Sequence, residues 1–297
     1  MKETRISLND GTPITLLPIQ ADDLDRIVLR CWPDRATIEQ LFADQGTIGI
    51  GAWDGEKNVA QLHCYRVTAP GGREWRACDG PMGGAMGANW WTESDRVFDG
   101  WGQWGPRKAD LGLTGAVWCH ACFHVGRTLE TFCAEVLEGE VLAAASKQGW
   151  DDERIVQEAA APQANFTPEL VRRVLEAKRS EAGFTSWEQE SRYFGQGIGT
   201  ALCRESIRWA KERGYVAVVA PGAPDGLIHF ARWYGHMPWT TYAKLGFRDY
   251  PVPPDEIDEL PGWATGQVHE PIASEIKKAL ESRPVNEILE RVMVLKL

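Results

Sequence analysis

An α/β fold is predicted by three features of this 297-residue chain. Short β-branched, apolar runs alternate with longer stretches whose apolar residues recur at helical spacing. The clearest of those stretches, Gly197 to Arg213, leads past Gly214 into a β-branched strand, Tyr215 to Ala220. A composition of 43% hydrophobic and 25% charged residues supports a sizeable core. With no internal repeat, low-complexity tract or dividing linker, one elaborated domain over 1–297 is expected.

Ile14 to Ile19 has strand composition. Ala21-Asp22-Asp23 opens a helix through Leu24, Ile27, Val28 and Cys31, and Pro33 stops it. Asp34 to Asp44 reads as a second short helix, with Ile38, Leu41 and Phe42 on one side. Thr47 to Trp53 and Val59 to Val67 read as strands joined by Asp54-Gly55-Glu56-Lys57, an Asp-Gly hairpin signal. From Ala69 to Gly115 periodicity disappears and no element is expected, although five of the chain's 14 Trp lie there, at 75, 90, 91, 101 and 104. Rings of about 200 Å² each need burial, so this reads as a built insertion or lid.

Ala116 to Val125 returns to strand composition. Leu129 to Ala145 and Thr167 to Glu181 are amphipathic and helical. In the helix from Gly197, Leu202, Cys203, Ser206, Ile207, Trp209 and Ala210 face inward, while Arg204, Arg208, Lys211 and Glu212 face outward. A further helix is expected from Pro238 to Gly246, then a strand from Phe247 stopped by Pro251, helical material from Ile272 to Leu280 and Val285 to Glu290, and a closing strand, Val292 to Leu297.

A net charge of −10 argues against sequence-independent nucleic-acid binding, which needs cations to replace the counterions of the phosphates. Pro251 to Glu290 is locally acidic, with nine acidic against three basic residues, as on a solvated helical face. No run approaches the roughly 20 apolar residues that cross a bilayer. Met1-Lys2-Glu3-Thr4-Arg5 has no apolar segment of signal type, so no membrane partner and a cytoplasmic location are expected. Seven Cys without framework spacing fit reduced thiols.

Phe194-Gly195-Gln196-Gly197-Ile198-Gly199-Thr200 is a glycine turn opening directly into a helix, where backbone N–H groups and the helix dipole favour a phosphate. It is neither a dinucleotide fingerprint, because Ser186 to Arg192 is not a buried strand, nor a triphosphate loop, because Gly199 precedes Thr200 where Lys is required. The second signal is Tyr242-Ala243-Lys244-Leu245-Gly246-Phe247. Strand, Gly-x-Gly-x-Gly loop, helix, strand, then Tyr-x-x-Leu-Gly-Phe resembles the GNAT N-acetyltransferase superfamily, and the resemblance covers most of the chain.

The resemblance implies a mixed, splayed central sheet flanked by helices, with insertions at about 69–115, 127–190 and 251–290. It also implies acetyl-CoA, or another acyl-CoA, as co-substrate. Backbone N–H groups of Gly195, Gln196, Gly197, Ile198, Gly199 and Thr200 would cradle its pyrophosphate, and the strand end at His124-Val125 would bond the pantetheine arm. Tyr242 matches the tyrosine that protonates the departing thiolate. Phe194 departs from the family's usual Arg or Gln, and Arg192 could supply the missing donor.

Acyl transfer to an amine needs a neutral amine, a polarised carbonyl and a reprotonated thiolate. Strand alternation puts His120, Cys122 and His124 on one face. His124, nearest the strand end, is the expected base, with His236 the second choice; both have structural readings as hydrogen-bonded core histidines. His120, Cys122, Trp239 and His236 are expected to line the acceptor pocket. His120, Cys122 and His124 with a fourth ligand could hold zinc, and Cys122 could accept an acyl group, but no metal is expected. The expected activity is acyl-CoA-dependent N-acetylation of a small-molecule amine. A protein or peptide acetyltransferase and a non-catalytic CoA-binding sensor are the alternatives, and a homodimer is left open.

Overall fold

The computed structural model describes residues 3–29, 35–69, 76–79, 85–87, 111–160, 165–180, 192–251 and 272–297. In chain order the strands are β1 (Thr4–Ser7), β2 (Pro13–Pro18), β3 (Gly49–Asp54), β4 (Lys57–Ala69), β5 (Arg76–Asp79), β6 (Ala85–Gly87), β7 (Gly115–Val125), β8 (Ala217–Gly222), β9 (Arg248–Tyr250) and β10 (Arg291–Lys296). The helices are α1 (Arg35–Gln45), α2 (Leu129–Val136), α3 (Leu142–Gln148), α4 (Asp152–Ala160), α5 (Pro168–Arg179), α6 (Ile198–Glu212), α7 (Ile228–Tyr234), α8 (Trp239–Lys244) and α9 (Ile272–Leu280). Eight strands form one mixed sheet in the order β1-β2-β3-β4-β7-β8-β10-β9, and β5 and β6 pair separately. No helix among the described residues is long and apolar enough to cross a membrane.

Two compact units are present, Met1–Gln61 with His124–Leu202 and Leu62–Phe123 with Cys203–Leu297. In the first, β2 pairs antiparallel with β1 and with β3. The hairpin turn falls where Asp54-Gly55 placed it, with Gly55 at φ +60°. β1 was not expected. Its Thr-Arg-Ile-Ser sequence is too short and polar to show a pattern, and its order comes from pairing with β2. The helix expected from Ala21 is a single 3₁₀ segment, Ala21–Arg26, ending at Ile27 in extended backbone. The Asp23 carboxylate accepts from Gln20 N–H, closing a local turn that competes with a longer helix.

The 127–180 part of the expected second insertion is a helical block in the first unit. Thr128 caps α2 by accepting from Thr131 N–H, and the Thr131 hydroxyl accepts from Thr128 N–H in return. Leu170, Val171, Val174 and Leu175 of α5 join Phe132, Val136, Leu137, Ile155 and Val156 in one buried cluster. Each such side chain contributes about 1.5–3 kcal/mol on burial, and Val28 from outside the block shares this core.

In the second unit, β7 and β8 pair in parallel at Val117↔Ala217, Trp118↔Val218 and Cys119↔Val219 only. Beyond that point Phe123 N–H donates to Gly235 O at 2.6 Å, so the end of β7 bonds to the α7–α8 turn and not to β8. The splay expected of the sheet is therefore present. β10 pairs antiparallel with both β8 and β9, which seats the closing strand inside the sheet. Trp118 is fully buried, its ring 4.5 Å from Trp209 and 5.1 Å from Tyr215, and this aromatic stack packs α6 on the sheet. The short β5–β6 pair lies where no element was expected. The five Trp of that insertion lie outside the described residues.

Candidate active site

In the first unit the glycine turn leads into α6 with Gly195 at φ +70° and Gly197 at φ +79°. Ala201 N–H makes a bond to Gly197 O, so the N–H groups of Ile198, Gly199 and Thr200 precede the first helical hydrogen bond and point out of the helix end. A Cβ on Gly199 would sit 3.8 Å from Val125 Cγ2, which brings the expected strand end and the expected loop into van der Waals range. The Gln196 side-chain oxygen accepts from Asn9 N–H at 3.1 Å. Arg192 donates to Asp54 Oδ2 at 2.8 Å, and the Tyr193 hydroxyl donates to the same oxygen at 2.9 Å. Burial, the largest cause, pushes the Tyr193 phenol up to about 12.

His124 is buried, with its Nδ1 3.5 Å from a nitrogen of the Arg127 guanidinium. A guanidinium can only donate. His124 Nδ1 is thus the acceptor, and in the neutral ring the proton sits on Nε2.

In the second unit Tyr242 and His120 meet in a buried polar chain. His120 Nδ1 lies 3.3 Å from Tyr242 Oη, and its Nε2 lies 3.1 Å from Ser206 Oγ. Trp118 Nε1–H donates to the same Ser206 Oγ at 2.9 Å, and Cys64 Sγ lies 3.6 Å from it. Tyr242 is fully buried, and desolvation, reinforced by Cys203 and Cys64, holds its phenol well above the ordinary value. Burial likewise pushes the His120 imidazolium down to about 3, so the ring is neutral at physiological pH.

One direction is fixed by the donors, and the others by the tautomer of His120. Trp118 can only donate, so Ser206 Oγ accepts from it. With its proton on Nδ1, His120 donates to Tyr242 Oη and accepts the Ser206 hydroxyl at Nε2, which leaves the Tyr242 O–H to donate onward. This tautomer suits a phenol acting as an acid. Both His120 nitrogens are engaged by protein groups, an arrangement that does not suit a metal ligand. Cys122 lies elsewhere, its Sγ 3.4 Å from His63 Nδ1. His63 went unnoticed in the sequence because its partner is 59 positions away and on another strand.

His236 follows Gly235 in the α7–α8 turn. Gly235 has φ +68°, and a Cβ there would sit 2.7 Å from Phe123 O and 3.1 Å from Cys122 Cβ, so only glycine allows this close approach to β7. His236 is buried, and its Nδ1 hydrogen-bonds Glu290 Oε1 just before β10. Trp239 is half-buried, with the Arg291 guanidinium 3.9 Å from its ring centroid. That guanidinium is also held by Asp249 at 2.7 Å. One face of Trp239 is therefore already occupied by a cation. Glu290, Ser206 and Arg291 were missed in the sequence. Ser206, the one hydroxyl on the apolar face of α6, was the available signal.

No protein-family model matches the chain, and no curated protein does. Among solved structures it is similar to a Drosophila melanogaster polyamine N-acetyltransferase that catalyses formation of N-acetylagmatine, at 11% identity and a TM-score of 0.32, covering 96% of this chain and 100% of that one. It is also similar to an agmatine N-acetyltransferase in an apo form, at 10% identity and a TM-score of 0.30, with the same coverage.

Proposed function

We propose that the chain is an acyl-CoA-dependent N-acyltransferase, using acetyl-CoA or a related thioester to acylate an amine on a small molecule. The observation that carries this is the β7–β8 pair, which hydrogen-bonds at three positions and then parts, with Tyr242 hydroxyl-bonded to His120 in the same unit. A parted parallel pair leaves β7 backbone groups without a β8 partner, and a phenol with a raised pKa stays protonated to serve as an acid.

The glycine turn fits the pyrophosphate of CoA. Its positive φ values open the backbone, nothing among the described residues lies within 4 Å of where a Cβ would sit on Gly195 or Gly197, and the N-terminus of α6 supplies N–H groups and the dipole. Bound CoA supplies the activated acyl group. In the first unit the glycine turn would hold the phosphates; in the second, Tyr242, hydrogen-bonded to His120, would give its proton to the sulfur as the C–S bond breaks. The acceptor is a small amine, since two insertions flank β7 in the sequence; this reading also matches what the two similar structures are named for. The chain works as a single acyltransferase domain, cytoplasmic, with no nucleic-acid or membrane partner.

Calorimetric titration with CoA, together with mass analysis of products formed from acetyl-CoA and an amine panel, tests the proposal. The expected result is CoA binding and an N-acetylated amine. Acetylation of peptide amines alone would replace the small-molecule reading, and CoA binding without any product would replace it with that of a sensor.

A further inference from the structure

We propose that Ser206 is a positioning residue for the transfer: by donating to His120 Nε2 it holds the ring proton of His120 on Nδ1, and so leaves the proton of Tyr242 for the departing sulfur. This deepens the acyltransferase reading and rests on it. A neutral imidazole has one N–H and one lone pair, and its neighbours decide which nitrogen holds the proton. His120 is buried and neutral at physiological pH. Its two nitrogens each face a hydroxyl, Tyr242 Oη at 3.3 Å from Nδ1 and Ser206 Oγ at 3.1 Å from Nε2. Two arrangements make both contacts hydrogen bonds. In one, Ser206 donates to Nε2, Nδ1–H donates to the phenol oxygen, and the phenol proton points onward. In the other, the phenol proton is spent on Nδ1, and Nε2–H donates to Ser206. Only the first leaves Tyr242 a proton to give as an acid.

Ser206 makes the choice, because its surroundings limit where its single proton can go. Trp118 and His120 are two positions apart on β7 and share a face of that strand, so one hydroxyl on α6 reaches both. Trp118 Nε1–H, at 2.9 Å, can only donate, and it takes one lone pair of Ser206 Oγ. Ser206 is itself fully buried. Among the described residues two acceptors then remain for its proton, His120 Nε2 at 3.1 Å and Cys64 Sγ at 3.6 Å. Burial pushes the Cys64 thiol up, so the sulfur stays a thiol, which is a weak acceptor. The ring nitrogen is both the nearer and the stronger acceptor. The hydroxyl proton therefore goes to Nε2, and the Nδ1–H tautomer follows.

In the step, the neutral amine nitrogen bonds the acyl carbon, the C–S bond breaks and the sulfur takes Tyr242's proton. The amine gives one proton to solvent and Tyr242 regains one from it, so an amine and a thioester become an amide and a thiol. His120 and Ser206 keep their protons throughout; they orient the phenol and exchange nothing with the substrates.

The test is nitrogen-15 NMR of the His120 ring in the intact wild-type chain, its signals assigned among the six histidines by their loss in His120→Gln. The ring proton should be on Nδ1. Ser206→Ala should let the ring take the Nε2–H tautomer and should lower kcat by about tenfold or more with KM for acetyl-CoA unchanged. Ser206→Thr keeps the hydroxyl, so it should keep the proton on Nδ1 and recover most of the lost kcat. A merely structural serine would lower Tm on substitution without moving the tautomer. The wild-type spectrum decides the question even if a variant fails to fold. A wild-type proton on Nε2, or a folded Ser206→Ala that keeps both the Nδ1 proton and the wild-type kcat, would overturn the role of Ser206 while leaving the transferase reading intact. Failure of wild type to acylate any amine would overturn that reading, and this inference with it.

Discussion

Tyr242→Phe separates chemistry from stability, because the structure sets the size of each effect. The ring stays: its T-shaped contact with Phe247 at 4.9 Å and its packing near His120 need no hydroxyl. What disappears is one hydrogen bond of 3.3 Å to His120 Nδ1, long for a hydroxyl. Such a bond contributes about 0.5–1.5 kcal/mol, and leaving the buried ring nitrogen unpaired adds to the cost. A loss near 1 kcal/mol lowers Tm by about 2–4 °C in a chain of this size class, so the variant stays folded. The phenol's role as acid is worth roughly 10- to 10³-fold in rate, or about 1.4–4 kcal/mol of barrier. Thiol-release kinetics should therefore show kcat reduced in that range with KM for acetyl-CoA nearly unchanged, alongside a small shift in Tm. An unchanged kcat in the folded variant would refute the assignment of Tyr242 as the acid.

Three further outcomes follow from the same contacts. Ser206→Ala leaves the buried Trp118 Nε1 and His120 Nε2 without their shared partner, at about 1–3 kcal/mol by denaturant unfolding; a neutral result would show that the chain through Ser206 is not maintained. Gly235→Ala must bear both φ +68° and a Cβ 2.7 Å from Phe123 O, so it should cost more than the roughly 1 kcal/mol of a left-handed alanine in an open turn, which a thermal melt against Gly55→Ala would reveal. His120 binds its proton near pH 3 when folded and near 6.5 when unfolded. Between those values the unfolded state holds more protons, so stability falls as pH falls through that window, by up to about 1.4 kcal/mol per unit. The slope should flatten in His120→Gln, and an unaltered slope would place the proton uptake elsewhere.

The parts of the fold that could be read in the sequence are those where local chemistry and tertiary structure agree. The glycine turn into α6, the Asp54-Gly55 hairpin and the Tyr242 helix are set by residues a few positions apart. Of the inward face read for α6, Leu202, Cys203, Ser206, Trp209 and Ala210 are buried, while Ile207 is only half-buried and Glu205 is buried against Arg208. α7 was not expected from the sequence; Gly235 is its left-handed C-cap. The site was legible as residue types and not as pairs. His120, Tyr242 and His236 stood out by chemistry, but Ser206, 86 positions from His120, and Glu290, 54 positions from His236, are joined to them only by tertiary packing. Trp118, without a role assigned from the sequence, belongs to the core with Trp209 and Tyr215.

The most direct measurement of the central claim is thiol release from acetyl-CoA by the intact chain across a panel of small amines at neutral pH. The account expects amine-dependent release that saturates in both substrates and is reduced in Tyr242→Phe. CoA binding with no release above the uncatalysed rate for any amine would contradict it.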